Sequence, residues 1–117
     1  MHDDPAKRVG VVFYRTPSGS EPVREWLKSL AADDRMTIGA DIKTIEYGWP
    51  IGMPVCRSLG KGIWEVRSDL KGGRIARVLF AFHESNMYLL NGFIKKTPKT
   101  PLEEIELALR RFREVAE

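Results

Sequence analysis

Two pairs of cationic residues carry the chemistry for which this chain can be read. Arg67 and Arg77 flank Leu70-Lys71-Gly72-Gly73, and Lys95 and Lys96 stand where a strand-like run gives way to Thr97-Pro98-Lys99-Thr100. A hairpin turn centred near Lys71 to Gly73 puts the two arginines opposite each other to within a residue, on one face of a sheet. Like charges so placed repel, and the cost must be offset by Glu65 two residues away or by a bound anion such as phosphate. The plain alternative is a pair of solvated arginines whose stems cover the sheet. The second cluster favours the anion: from Ser85 to Leu102 the sequence has three lysines, Lys95, Lys96 and Lys99, and no acid. The start of a helix beside them adds free N–H donors and partial positive charge. Lysines at a strand end alone would only be solvated and block edge pairing.

A cationic surface without a nucleophile suits one reaction in particular. The ribose 2′-hydroxyl of RNA already lies next to a phosphorus, so a protein need only orient it, neutralise charge on the phosphoryl oxygens and move two protons. Arginine stays charged and grips phosphate through two N–H groups, whereas a lysine crowded by other cations has a lowered pKa and can exchange protons. Arg67, Arg77, Lys95 and Lys96 are therefore the candidate catalytic residues, and Arg57, Lys61, Arg74 and Lys99 the candidate RNA-binding residues. The sequence contains no Ser/His/Asp arrangement, no glycine-rich phosphate loop and no paired catalytic carboxylates. One thiol, Cys56, and two scattered histidines do not make a zinc site, so neither metal nor cofactor is expected. His83 reads as an exposed turn residue, His2 as part of a loose arm, and Trp64 and Phe93 as core residues rather than base-stacking platforms.

These groups must be positioned by surrounding elements. Val9 to Tyr14 reads as a first strand, followed by the turn residues Thr16-Pro17-Ser18-Gly19. Ser20 is the expected cap of a helix with Val23, Trp26, Leu27 and Leu30 on one face. Asp33 or Asp34 is expected to start a second helix, with Ile38, Ile42, Ile45 and Trp49 aligned until Gly48 and Pro50 stop it. Pro50 to Gly62, rich in glycine and proline, reads as a connecting loop. Ile63 to Ser68, Arg74 to Phe82 and Met87 to Lys96 are expected strands joined by short turns. A last helix opens at Thr100-Pro101-Leu102-Glu103, a capping-box pattern, with Leu102, Ile105, Leu109, Phe112 and Ala116 as its apolar stripe. The order β-α-α-β-β-β-α implies an α+β fold: an antiparallel sheet of about four strands with an N-terminal helical hairpin and a C-terminal helix.

The 117 residues suit a single domain, with residues 1–8 a loose arm. Charge totals of 19 Lys plus Arg against 16 Asp plus Glu give only +3, so any nucleic-acid surface is local rather than global. With no signal-like or bilayer-length apolar run, the expected location is the cytoplasm, away from membranes.

Several runs together resemble a known family: Gly62-Ile63-Trp64-Glu65-Val66-Arg67, Arg77-Val78-Leu79-Phe80, and Leu89-Leu90-Asn91-Gly92-Phe93-Ile94-Lys95-Lys96-Thr97-Pro98-Lys99-Thr100-Pro101, followed by Glu104, Ile105 and Ala108. The chain resembles the phage-related branch of the HigB toxins in the RelE/ParE superfamily. That resemblance implies a microbial RNase-like fold, metal-independent mRNA cleavage on the ribosome that inhibits translation, and neutralisation by a helix-turn-helix antitoxin of the HigA type. It places Arg67 and Arg77 at the sheet positions and Lys95 or Lys96 at the strand-end position of the family's basic residues. No tyrosine follows the lysine cluster, where RelE has one, and Lys96 is the residue taken for the general base in its stead. The rival reading is a toxin of the ParE type that inhibits DNA gyrase without cleaving RNA, or a module that only binds its antitoxin.

Overall fold

A computed structural model describes residues 7–52, 55–95 and 98–116. The elements are β1 (Gly10–Phe13), α1 (Pro22–Ser29), α2 (Ala32–Gly48), β2 (Cys56–Gly60), β3 (Ile63–Asp69), β4 (Ile75–His83), β5 (Asn86–Lys95) and α3 (Leu102–Ala116), with a short 3₁₀ turn at Lys71–Gly73. The fold is the expected α+β class, but the sheet has five strands in the order β1-β5-β4-β3-β2 and is mixed rather than antiparallel.

Both differences have physical causes. β1 lies parallel to β5, with Gly10 opposite Asn86 and Phe13 opposite Leu89. The helical hairpin carries the chain from that edge of the sheet to the other, so the first strand meets the last in the same direction. β2 occupies part of the stretch read as loop. Cys56-Arg57-Ser58-Leu59-Gly60 contains no β-branched residue, and its strand geometry comes from pairing with β3 across a tight turn. Gly60, Lys61 and Gly62 all take positive φ there, at 90°, 54° and 84°.

The sheet divides the interior in two. Ile38, Ile42 and Ile45 of α2 and Val23 of α1 pack on Val66, Val78, Phe80 and Leu89. On the other face Ala108, with Ile105, Leu109 and Phe112 of α3, packs on Ile63, Leu79, Ala81 and Leu90. α1 comes so close to β5 that a Cβ on Gly92 would lie 2.5 Å from the Trp26 ring. The expected α3 stripe is right at its centre and wrong at its ends: Leu102 is 67% exposed and Ala116 is exposed, because the helix runs past the apolar part of the sheet.

Three caps also differ from expectation. Glu21 rather than Ser20 is the N-cap of α1, and its N–H is taken by the Glu25 carboxylate at 3.1 Å. The Ser20 hydroxyl instead meets that of Thr16 at 2.9 Å. α2 starts after Ala31 without a side-chain cap, while Asp33 and Asp34 sit in its first turn and complement the helix dipole. Thr100 reaches away from α3 to Glu65, and the first helical carbonyl acceptor is that of Pro101. Of the expected N-terminal arm, residues 7–8 are tied to Glu46: Lys7 Nζ lies 2.8 Å from its carboxylate, and Arg8 N–H donates to its carbonyl at 2.8 Å. Residues 1–6, including His2, lie outside the described residues.

Candidate functional site

β3 and β4 pair so that Arg67 stands directly opposite Arg77, with Glu65 opposite Leu79. On the next strands Arg57 is opposite Glu65, and Lys95 is opposite Ile75. Side chains alternate along a strand and partners across a ladder share a face. Arg57, Glu65, Arg67, Arg77 and Lys95 therefore all project from the face that carries α3. The helix covers one half of that face; the cations occupy the other.

Glu65 holds the cluster together. Its side chain is 1% exposed, and one oxygen, Oε2, accepts from Arg77 Nη1 and from Arg57 Nη2, the latter at 2.7 Å. The other oxygen, Oε1, accepts from the Thr100 hydroxyl. Arg77 is 6% exposed, so it forms the floor of the site, and its Nε has no hydrogen-bond partner among the described residues. Arg57 and Arg67 are both 42% exposed in their side chains and form the rim. Arg67 Nε lies 3.3 Å from Asp69 Oδ1, a solvated contact of little strength.

Lys95 is buried, and its ammonium donates to the Pro98 carbonyl. Burial and then the Arg77 charge lower its pKa; Glu65 opposes them, and Arg57 and Arg67 lower it further. The strand register, which sends these side chains out of one face, is what brings the cations together. Four cations against Glu65 and Asp69 leave the open half-face positive.

The other candidates differ in placement. Arg74 points to α2 and grips Asp34 through two hydrogen bonds, at 2.7 and 3.0 Å, which commits its guanidinium to packing. Lys61 is exposed in the β2–β3 turn, at the opposite end of β3 from Arg67. Lys99 is exposed and follows the Pro98 that Lys95 holds. Lys96 lies outside the described residues. His83 ends β4 at the tip of the β4–β5 hairpin, away from the cluster. Trp64 packs in the core against Trp49, with ring centroids 5.0 Å apart, and Phe93 packs half-buried against the α3 side. Both are the core residues their strand positions suggest.

Sequence reasoning gave Glu65 only the task of offsetting charge and read Thr100 as a helix cap. The available signal was a carboxylate flanked by the apolar Ile63, Trp64 and Val66 in a strand, two residues from an arginine. Among the described residues no group of His, Cys, Asp and Glu is arranged to hold a metal ion. The Cys56 thiol is pushed up to about 11 by burial and by the Glu65 charge, which makes it a poor nucleophile. No helix among the described residues is long and apolar enough to cross a membrane.

A family model described as "Phage derived protein Gp49-like (DUF891)" matches residues 25–113, which contain every described residue of the cationic face. No curated protein matches the chain.

Proposed function

The chain belongs to the phage-derived Gp49-like family, a family of RelE-like toxin type, and on that premise we propose that it is the toxin of a toxin-antitoxin pair that cleaves messenger RNA on the ribosome. The observation that carries the reading is the convergence of Arg57, Arg67, Arg77 and Lys95 on one half-open sheet face. Helix-turn-helix antitoxin and ribosome-bound mRNA are the partners this reading implies.

The rim guanidiniums of Arg57 and Arg67 take the non-bridging oxygens of the scissile phosphate, and Arg77 supplies fixed positive charge from beneath. The 2′-oxygen attacks phosphorus and gives up its proton, with Lys96 as the base read from the sequence. The bond from phosphorus to the 5′-oxygen breaks, and the Lys95 ammonium delivers a proton to that leaving oxygen. The products are a 2′,3′-cyclic phosphate and a 5′-hydroxyl end. Charge stabilisation and proton transfer by side chains thus account for the chemistry, and binding to the ribosome orients the strand.

The test is cleavage of end-labelled mRNA in a purified translation system. Arg67→Ala removes a rim cation whose only ion pair among the described residues is solvated, so fold and melting temperature stay near those of the parent. Cleavage falls by about 100-fold or more, the size expected when one preorganised charge contact is removed. Full cleavage by a folded Arg67→Ala protein would contradict the assignment. Induced cells that show gyrase-linked DNA breaks and intact transcripts would favour the ParE-type alternative.

A further inference from the structure

We infer that Glu65 is the positioning residue of the cationic face: its single carboxylate fixes the guanidiniums of Arg57 and Arg77 and the hydroxyl of Thr100 in the arrangement that an RNA phosphate meets. The inference rests on the cleavage reading and adds to it a residue that touches no substrate.

Three elements converge on this carboxylate. Arg57 comes from the edge strand β2, Arg77 from the central strand β4, and Thr100 from the segment that leads into α3. Fold stability alone is a weak reason for such a group, since a buried ion pair often contributes no more than apolar residues of the same volume. Ile63 and Leu79, beside it on the same face, show that apolar packing is available there. What the carboxylate supplies is geometry and charge. Arg57 is turned inward through Nη2, which leaves its other donors at the 42% exposed rim. Without the negative centre, Arg57, Arg67, Arg77 and Lys95 would repel one another and spread.

The same charge acts on Lys95. The groups that set the Lys95 titration are burial, Arg77 on β4, Glu65 and Arg67 on β3, and Arg57 on β2, and only Glu65 among them favours the protonated form. Removing its charge therefore moves the Lys95 titration to lower pH, whereas shortening the side chain while keeping the charge disturbs the arginines and leaves that titration in place. A residue that merely held the fold together would not separate these two effects.

The experiment uses the full chain as parent, Glu65→Gln and Glu65→Asp. Titration of Lys95 is followed by carbon-13 NMR of its side chain, and the cleavage of ribosome-bound mRNA is followed as a function of pH. Glu65→Gln is expected to shift both the NMR midpoint and the alkaline inflection of the rate downward together. Glu65→Asp, one methylene too short to span both guanidiniums, keeps the midpoint near the parent's and loses roughly tenfold to a hundredfold in rate, the scale of a displacement of about 1 Å. Should Glu65→Gln not fold, Glu65→Asp decides alone, and a parental rate in it overturns the inference. An unmoved Lys95 midpoint in folded Glu65→Gln also overturns it. A parent that cleaves nothing, combined with the expected NMR shifts, would sink the nuclease reading and leave the electrostatic role of Glu65 standing.

Discussion

Arg77 and Lys95 share the floor of the cationic face, yet their contributions to stability have opposite sign. Arg77 is ion-paired with a carboxylate that is itself buried. Arg77→Met leaves Glu65 with Arg57 and Thr100 only, and is expected to cost about 3 kcal/mol, the lower end for breaking a buried pair, measured by denaturant unfolding. Among the described residues Lys95 has no carboxylate partner at its ammonium, and burial and neighbouring cations hold its pKa below the usual lysine range. A lysine depressed in the folded state contributes stability only above its unfolded pKa and loses it as pH falls through the folded value, so at neutral pH its charge is a cost. Lys95→Met is therefore expected to melt at or above the parental temperature while mRNA cleavage falls about 100-fold or more, the scale of a lost proton donor. A large stability loss in Lys95→Met would contradict this assignment of roles. The direct pairing of Arg67 with Arg77 was legible in the sequence, because the glycines of Lys71-Gly72-Gly73 fix the turn and the turn fixes the register. The burial of Arg77 was not, because it depends on a carboxylate contributed by the neighbouring strand.

Elements explain where local reading succeeds and where it stops. β3, β4, β5 and the two N-terminal helices show their periodicity in the residues themselves. β2 does not: its ladder with β3 determines its conformation, and an edge strand of Cys, Arg, Ser, Leu and Gly has no propensity signal. The parallel placement of β1 against β5 joins residues more than 70 positions apart and has no local signature. Gly92 is the clearest case of an element-level requirement. In β5 a glycine weakens the strand by itself, and its presence reflects the Trp26 ring of α1 lying against the backbone. Gly92→Ala pushes a Cβ into that ring, and an unfolding titration is expected to show a loss of about 1–3 kcal/mol, as for other overpacked sites. A neutral result would mean that α1 can shift away from β5 without cost. Cleavage by the folded fraction is expected to persist, because Arg67, Arg77 and Lys95 project from the opposite face.

At the scale of the whole molecule, the sheet separates a closed side from a half-covered, cationic side. α1 and α2 seal one face, and the Asp34–Arg74 and Asp33–Lys71 pairs tie α2 to the β3–β4 connection. α3 covers half of the other face and leaves the cations on the remainder. A whole-chain net charge of +3 does not reveal this local grouping of cations, which is why totals alone carry so little information. The central claim is that this open half-face cuts mRNA. Mapping of transcript 5′ ends after brief induction, with the parent and Arg67→Ala side by side, tests it most directly. The account predicts new 5′-hydroxyl ends within translated regions for the parent and their loss in the variant at equal protein level. Identical end profiles in the two strains, or growth arrest in the parent without new transcript ends, would contradict it.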